Sequence, residues 1–323
     1  MKAITYHRYG APEVLQLQEV DDPVVGDDEV LVRVRAASAN PRDWHFMRGL
    51  PAFMRLQFGL RRPKHSGLGS DIAGQVEAVG TKVTRFRPGD EVYADVVMGG
   101  FAEYVCVPEA LLVPKPANLT FEQAAAVPLA AVTALQGLRD HGRVRQGQRV
   151  LVVGAAGGVG TFAVQLARWL GAEVTGVCST GKVDLVRSLG ADHVVDYTRE
   201  DVTRGGRKYD VVFQLAGTAS PSDLRRALTP RGTLLLSSGE SDGRLIGPVD
   251  RIIKALLLAP FTRQRLVPFV AKRSSEDLQL ITTLIEAGTV VPVVDRTYPL
   301  GDVPEAIRHL EQGHARGKLV ITV

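Results

Sequence analysis

A β-branched run, Val150-Leu151-Val152-Val153, ends in Gly154-Ala155-Ala156-Gly157-Gly158-Val159-Gly160 and passes directly into an apolar helical pattern from Phe162 to Leu170. Few local sequences restrict a fold as much. Extended chain must turn sharply into a helix, through side chains too small to cover the backbone. The unpaired N–H groups of the first helical turn, together with the positive end of the helix dipole, then form a surface that suits a phosphate. The pattern reads A-x-G-x-x-G, with Ala155 where the dinucleotide fingerprint has its first glycine. The strand before it and the helix behind it supply the context that the bare spacing lacks. Ala155, Gly157, Gly158 and Val159 are therefore candidate contacts to the pyrophosphate of a dinucleotide.

From Arg149 onward, strand-like runs alternate with helical ones. The strands are Val150–Val153, Glu173–Val177, His193–Asp196, Asp210–Gln214 and Thr233–Ser237, with helices at Gly160–Leu170, Lys182–Leu189 and Ser222–Leu228 between them. Short connections and this alternation predict a doubly wound parallel sheet whose ligand crevice lies at the carboxyl ends of the strands. Leu215-Ala216-Gly217 and Ser238-Gly239 close two later strands, where a plain turn role competes with cofactor contact. Leu245 to Leu266 reads as a lid or packing helix over the cleft, followed by a strand at Leu266–Ala271 and a helix opened by Ser275-Glu276-Asp277.

Before Asn118 the chain is β-rich, with short strand-like runs and turn signals such as Pro88-Gly89-Asp90. Thr120, Glu122 and Gln123 mark a helix start, and the helix is expected to continue through Ala124 toward Leu138. The tail from Val290 to Val323 returns to strand–helix–strand, in the character of the first part. A length of 323 residues fits two domains.

With 39 Lys and Arg against 35 Asp and Glu, the charge of +4 implies no nucleic-acid surface. The basic run Arg61-Arg62-Pro63-Lys64-His65 reads as a solvated loop, with binding of an anionic substrate tail as the second reading. No apolar run reaches a membrane span, and Met1 to Gly10 lacks the apolar core of a secretory signal. Two cysteines, Cys106 and Cys178, build neither a disulfide framework nor a cysteine-rich metal site, so a cytoplasmic protein is expected.

Several separated motifs then agree. Gly147-Gln148, Leu151, Ala155 to Gly160, Gln165 and Arg168 resemble the signature of the zinc-independent quinone-oxidoreductase branch of the medium-chain dehydrogenase/reductase superfamily. Asn40-Pro41-Arg42-Asp43-Trp44, Gly69 to Gly74, Phe86 to Val92, Ser188 to Asp192 and Gly313 to Lys318 support it over almost the whole length. The resemblance implies an α/β architecture: a Rossmann doubly wound parallel sheet, residues 119–287, inserted in a GroES-like β-rich catalytic domain of residues 1–118 plus 288–323.

The cofactor reading follows from the end of the second strand, Val177-Cys178-Ser179-Thr180-Gly181-Lys182, which carries no carboxylate at its tip. NAD enzymes place an Asp or Glu there for the ribose hydroxyl, whereas a 2′-phosphate is matched by hydroxyls and an ammonium. Similar reductases use a Ser, a Lys and a Tyr, which map onto Ser179, Lys182 and Tyr197, with Thr180 beside them. NADP(H) is the expected cofactor, although Ser179 or Thr180 equally suits a helix N-cap. By resemblance, Thr133 lies near the nicotinamide ribose and Lys318 reaches the cofactor from the tail.

The zinc branch needs Cys near Ser38–Asn40, a His-Glu pair where Ser70-Asp71 stands and a further Cys, so no metal site is expected. The resemblance implies hydride transfer from NADPH to a small electrophilic acceptor, a quinone or an α,β-unsaturated carbonyl. Asn40 is the candidate polar contact to nicotinamide or substrate, against a turn role before Pro41, and His45 a candidate proton donor, against a packing role. An enoyl-thioester reductase, with Arg61, Arg62 and Lys64 at a basic entrance, is one alternative. An NADPH-binding sensor or structural protein with little turnover is the other. The Leu266–Ala271 strand reads as an edge that pairs with a second subunit, giving a homodimer.

Overall fold

The computed structural model describes residues 1–237, 253–255, 258 and 262–323. The chain divides into one unit of Met1–Leu129, Arg273–Gly288 and Pro292–Val323 and a second of Ala130–Lys272 and Thr289–Val291.

The first unit is organised by the eleven-residue strand Glu29–Ala39. Val30, Val32, Val34 and Ala36 alternate inward to full burial while Arg33 points out, as the two-residue period of a half-buried strand requires. Asp71–Val79 pairs with it antiparallel from end to end. Its other edge is shared: Tyr104–Pro108 takes the Glu29–Arg33 half and Lys318–Thr322 takes the Ala36–Ala39 half, both antiparallel. Val294–Pro299 adds a parallel strand beyond Lys318–Thr322. Helix Pro41–Arg48 leaves the end of the central strand at Asn40, with Pro41 in the first helical position where its missing N–H costs nothing. Arg48 pairs with Glu311 of helix Val303–Glu311.

The expected start at Thr120 is a reciprocal capping box: Gln123 N–H donates to Thr120 Oγ1 and Thr120 N–H to Gln123 Oε1. The helix stops at Ala125, and a second one, Pro128–Gln136, replaces the single helix expected, because Pro128 cannot continue the ladder. Helix Ser275–Glu286 also departs from expectation, since it belongs to the first unit and not with residues 119–287. Tyr93 Oη donates to Leu278 O at 3.2 Å, and Asn118 Nδ2 donates to Ile285 O at 2.9 Å. Helical periodicity reveals a buried face but not the sheet it will cover.

In the second unit six strands lie side by side. In spatial order they are His193–Asp196, Glu173–Cys178, Arg149–Val153, Tyr209–Gln214, Leu228–Leu236 and Arg265–Pro268: third, second, first, fourth, fifth and sixth in the chain. Every pairing is parallel. Val150–Val152, Val211–Phe213 and Leu234–Leu235 are fully buried, as strands covered on both faces must be. The strand order reverses between Arg149–Val153 and Tyr209–Gln214, which is where such folds open a crevice. Arg265–Pro268 is shorter than the strand expected at Leu266–Ala271 and stands at the end of this order. Most of the Leu245 to Leu266 segment lies outside the described residues.

Candidate active site

At the reversal point the second unit brings two small-residue turns together. Gly154 N–H and Ala155 N–H both donate to Val177 O, and Leu215 N–H donates to Val153 O. Gly154 has φ +91°, and a Cβ there would stand 2.7 Å from the Ala216 Cβ. Gly160 allows the helix to sit on the turn, because a Cβ would meet Gly154 O at 2.0 Å. Ala155 is fully buried and shapes the turn from beneath, whereas Gly157, Gly158 and Val159 keep part of their surface.

Gly157 is the N-cap of helix Gly158–Trp169 and offers no side chain to the amides of the first turn. Among the described residues, a Cβ at Gly157 would find only Gly154 O at 3.4 Å, and one at Gly217 would find nothing within 4 Å. Among the described residues the turn is therefore a cradle with donors on one wall and open space above it, which fits a pyrophosphate.

The corner expected to receive the 2′-phosphate is partly as read. Ser179 is the N-cap of the short turn Thr180–Lys182, and Tyr197 lies beside it, its N–H donating to Cys178 O at 3.1 Å. A carboxylate is nonetheless present. Asp196, at the end of the neighbouring strand, accepts from Thr180 Oγ1 at 2.5 Å and from Thr198 N–H and Oγ1 at 2.9 and 2.7 Å. These bonds hold the Asp196 carboxyl below the usual carboxylate range. Thr180 thus has its hydroxyl committed to Asp196, and Ser179, Lys182 and Tyr197 are the remaining polar groups of the expected set. Reading the strand tip alone missed Asp196, because strand pairing and not sequence spacing brings it there.

The first unit holds a different kind of centre. Lys318, 3% exposed, directs Nζ at Asn40 Oδ1 (2.5 Å), Ala39 O (3.2 Å) and Asp71 Oδ2 (3.6 Å). Asn40, also 3% exposed, donates from Nδ2 to Asp71 Oδ2 at 2.9 Å and to Ser38 O at 3.2 Å. Asp71 accepts in addition from Ser38 Oγ at 3.1 Å and Leu129 N–H at 3.0 Å. Beside it, buried Asp43 accepts from Ser70 Oγ at 2.6 Å and Asn40 N–H at 2.7 Å, and Arg42 donates to Ser70 Oγ and to both oxygens of Asp95.

Burial pushes Asp43 up to about 6, against the Ser70 bond and the Arg42 charge. It also raises Asp71, opposed mainly by Lys318, and lowers Lys318, opposed mainly by Asp71. Each ion here exists because its partner does.

The structure gives both residues a setting that the sequence did not show. Asn40 does not present a free amide, because both of its ends are engaged inside the unit. Lys318 does not extend from the tail, because it is buried beneath Asn40. A lysine in a buried strand must find acceptors, and Asn40, Asp71 and a carbonyl supply them. The sequence signal was an Asp opening one apolar strand and a Lys opening another, charges that burial obliges to pair.

His45 sits on helix Pro41–Arg48 with Nδ1 3.0 Å from Leu50 O and its ring stacked on Trp44 at 3.7 Å. A carbonyl partner requires the proton on Nδ1, and burial holds the imidazole below its ordinary value. With its proton on Nδ1, the neutral imidazole leaves Nε2 as the acceptor. Thr133 lies buried on helix Pro128–Gln136. Ser238 and Gly239 lie outside the described residues.

Among the described residues no group of three or more His, Cys, Asp or Glu is placed to hold a metal. The donors gathered at Asn40 and Asp71 surround an ammonium instead, so zinc does not fit.

Residues 26–117 match the family described as alcohol dehydrogenase GroES-like domain, and residues 189–321 match that described as zinc-binding dehydrogenase. The NADPH-dependent alkenal/one oxidoreductase, chloroplastic, of Arabidopsis thaliana is 36% identical, over 99% of this chain and 79% of that protein. The quinone-oxidoreductase homolog, chloroplastic, of Spinacia oleracea is 32% identical over 99% and 98%. Among solved structures, the Escherichia coli quinone oxidoreductase complexed with NADPH superposes with a TM-score of 0.85 at 27% identity, covering all of both chains.

Proposed function

We propose, from the premise that this chain belongs to the quinone-oxidoreductase-like branch of the medium-chain dehydrogenase/reductase superfamily, that it is an NADPH-dependent oxidoreductase acting on quinones and α,β-unsaturated carbonyl compounds. The observation that carries this reading is the helix Gly158–Trp169, uncapped at Gly157 and set over an open turn at the reversal of strand order. The names of the relatives point to the phosphorylated nucleotide and to the acceptor class.

Bound NADPH supplies the hydride. The first-turn amides of helix Gly158–Trp169 hold its pyrophosphate, with Ala155, Gly157, Gly158 and Val159 forming the turn and Leu215, Ala216 and Gly217 the facing wall. Ser179, Lys182 and Tyr197 would hold the 2′-phosphate, and Thr133 would serve the ribose. The pair Asn40–Lys318 acts by fixing the backbone at the start of helix Pro41–Arg48. A neutral His45 leaves the acceptor's proton to come from solvent, which suffices for an enolate or a hydroquinone anion. Because the donor set does not suit zinc, the reaction proceeds without it.

A homodimer through the edge strand Arg265–Pro268 and a cytoplasmic location belong to the same reading. Their supports are a strand that ends the sheet order among the described residues and two unpaired cysteines.

Oxidation of NADPH followed at 340 nm against quinones, alkenals and enones, with NADPH binding measured by calorimetry, tests the proposal. Saturable turnover with a conjugated acceptor supports it. Failure to bind either nicotinamide nucleotide ends it.

A further inference from the structure

The segment Ala52–Phe58, a short 3-10 turn running into a one-turn helix, is apolar on two sides. Its inner side chains anchor it: Met54 and Phe58 pack against the core of the first unit, with the Phe58 ring 4.8 Å from Phe46. Arg55 fastens the segment further, donating to Gly49 O and Arg48 O and lying 4.6 Å over the Tyr9 ring. Gly59, at φ +121°, then reverses the chain where a Cβ would stand 2.0 Å from Arg62 O. Tyr9 Oη locks that bend by donating to Gly59 O at 2.7 Å.

Held on this rigid base, Phe53, Leu56 and Leu60 stand 54%, 72% and 68% exposed. Large apolar side chains clustered in eight residues and turned to water mark a contact surface.

The charge beside them says what kind. Arg61, Arg62 and Lys64 follow immediately and are exposed, with no ion pair among the described residues. From Trp44 to Ser70 the sequence contains no Asp or Glu, and the acids at either end, Asp43 and Asp71, are buried within the network of Asn40 and Lys318. The stretch that carries the cations therefore has no exposed acid of its own. Exposed apolar side chains beside a row of exposed cations match the interface of an anionic bilayer.

We propose that residues 53–64 form a docking surface for an anionic lipid bilayer, with Phe53, Leu56 and Leu60 entering the acyl boundary and Arg61, Arg62 and Lys64 meeting the lipid phosphates. The reading is independent of catalysis. It would also place a reductase where lipid-soluble acceptors concentrate.

Co-sedimentation of the full chain with vesicles of phosphatidylglycerol and phosphatidylcholine tests it, beside vesicles of phosphatidylcholine alone. The protein is expected to pellet with the anionic vesicles only and to be released as salt is raised. The triple variant R61E/R62E/K64E is expected to lose about a hundredfold or more in partitioning, taking about fivefold for each cation. The double variant L56S/L60S is expected to lose on the order of tenfold with its charges intact. All five substituted side chains are exposed, so thermal unfolding of both variants is expected to match that of the parent chain.

Absence of binding to anionic vesicles overturns the proposal, as does equal binding by both variants. Displacement by inorganic phosphate at the same phosphate concentration would reveal a small-anion site instead. A change of oligomeric state in L56S/L60S would reveal a contact with a second copy. Either result overturns the bilayer assignment.

Discussion

The two units handle charge in opposite ways. Around Asn40, buried Asp43, Asp71 and Lys318 and half-buried Arg42 and Asp95 spend most of their donors and acceptors on each other and on their polar neighbours. Around Gly157, no side chain is offered at all and the helix amides stay available. A centre of the first kind fixes backbone and resists change, since removing one member strands the rest. A centre of the second kind costs little to build and keeps its binding capacity for a ligand. The comparison teaches that conspicuous polar residues need not be the ones that touch substrate.

Substitution can break this contrast, and the largest effect is expected at Lys318. Lys318→Met leaves Asp71 buried without its cation, and a loss of about 3–5 kcal/mol in stability is expected by denaturant unfolding. A loss below 1 kcal/mol would mean that the network is not mutually dependent.

Next comes Asp43. Its folded value of about 6 lies above that of an ordinary carboxylate, so the folded state holds the proton more tightly. The contribution of Asp43 to stability is then fully present below about pH 4 and falls by about 3 kcal/mol as pH rises to about 6, with no further change from this group above that. Asp43→Asn should remove this slope from a pH series of thermal unfolding. A slope that survives would assign it to another group.

Gly157→Asp sharpens the other half of the comparison. Its extended backbone, φ −84° and ψ 176°, suits an N-cap, so stability should rise by a few tenths of a kcal/mol. The same carboxylate occupies the amides and repels phosphate, so NADPH affinity by calorimetry should fall at least about tenfold. Stability and binding moving together would argue against a pyrophosphate site.

The smallest effect is expected at Lys182→Ala, which should weaken NADPH by about tenfold and leave NADH unaffected. Equal loss for both nucleotides would remove Lys182 from the 2′-phosphate corner.

The second unit was legible because its information is local. Val150 to Gly160 specifies strand, turn and helix in one stretch, and alternation alone predicts the parallel sheet. The first unit's centre was not, because Asn40, Asp71 and Lys318 lie far apart in the chain and meet only through sheet register. Asn40 and Lys318 were recognised as site candidates, but their pairing with each other and with Asp71 was not. Helix Ser275–Glu286 was recognised as a helix and assigned to the wrong unit, since its partners Tyr93 and Asn118 are remote in sequence. Asp196 was hidden in the same way, reaching Thr180 across a strand pair.

The shared edge of strand Glu29–Ala39 has a consequence for synthesis. Its Ala36–Ala39 half waits for Lys318–Thr322, which leaves the ribosome only after all of residues 130–272. Sequence separation of this size slows pairing. The unit begun first is thus completed last, and until then Asp71 and Asn40 stand in a half-built sheet without their lysine, the stage at which a nascent chain of this kind is most open to chaperone capture.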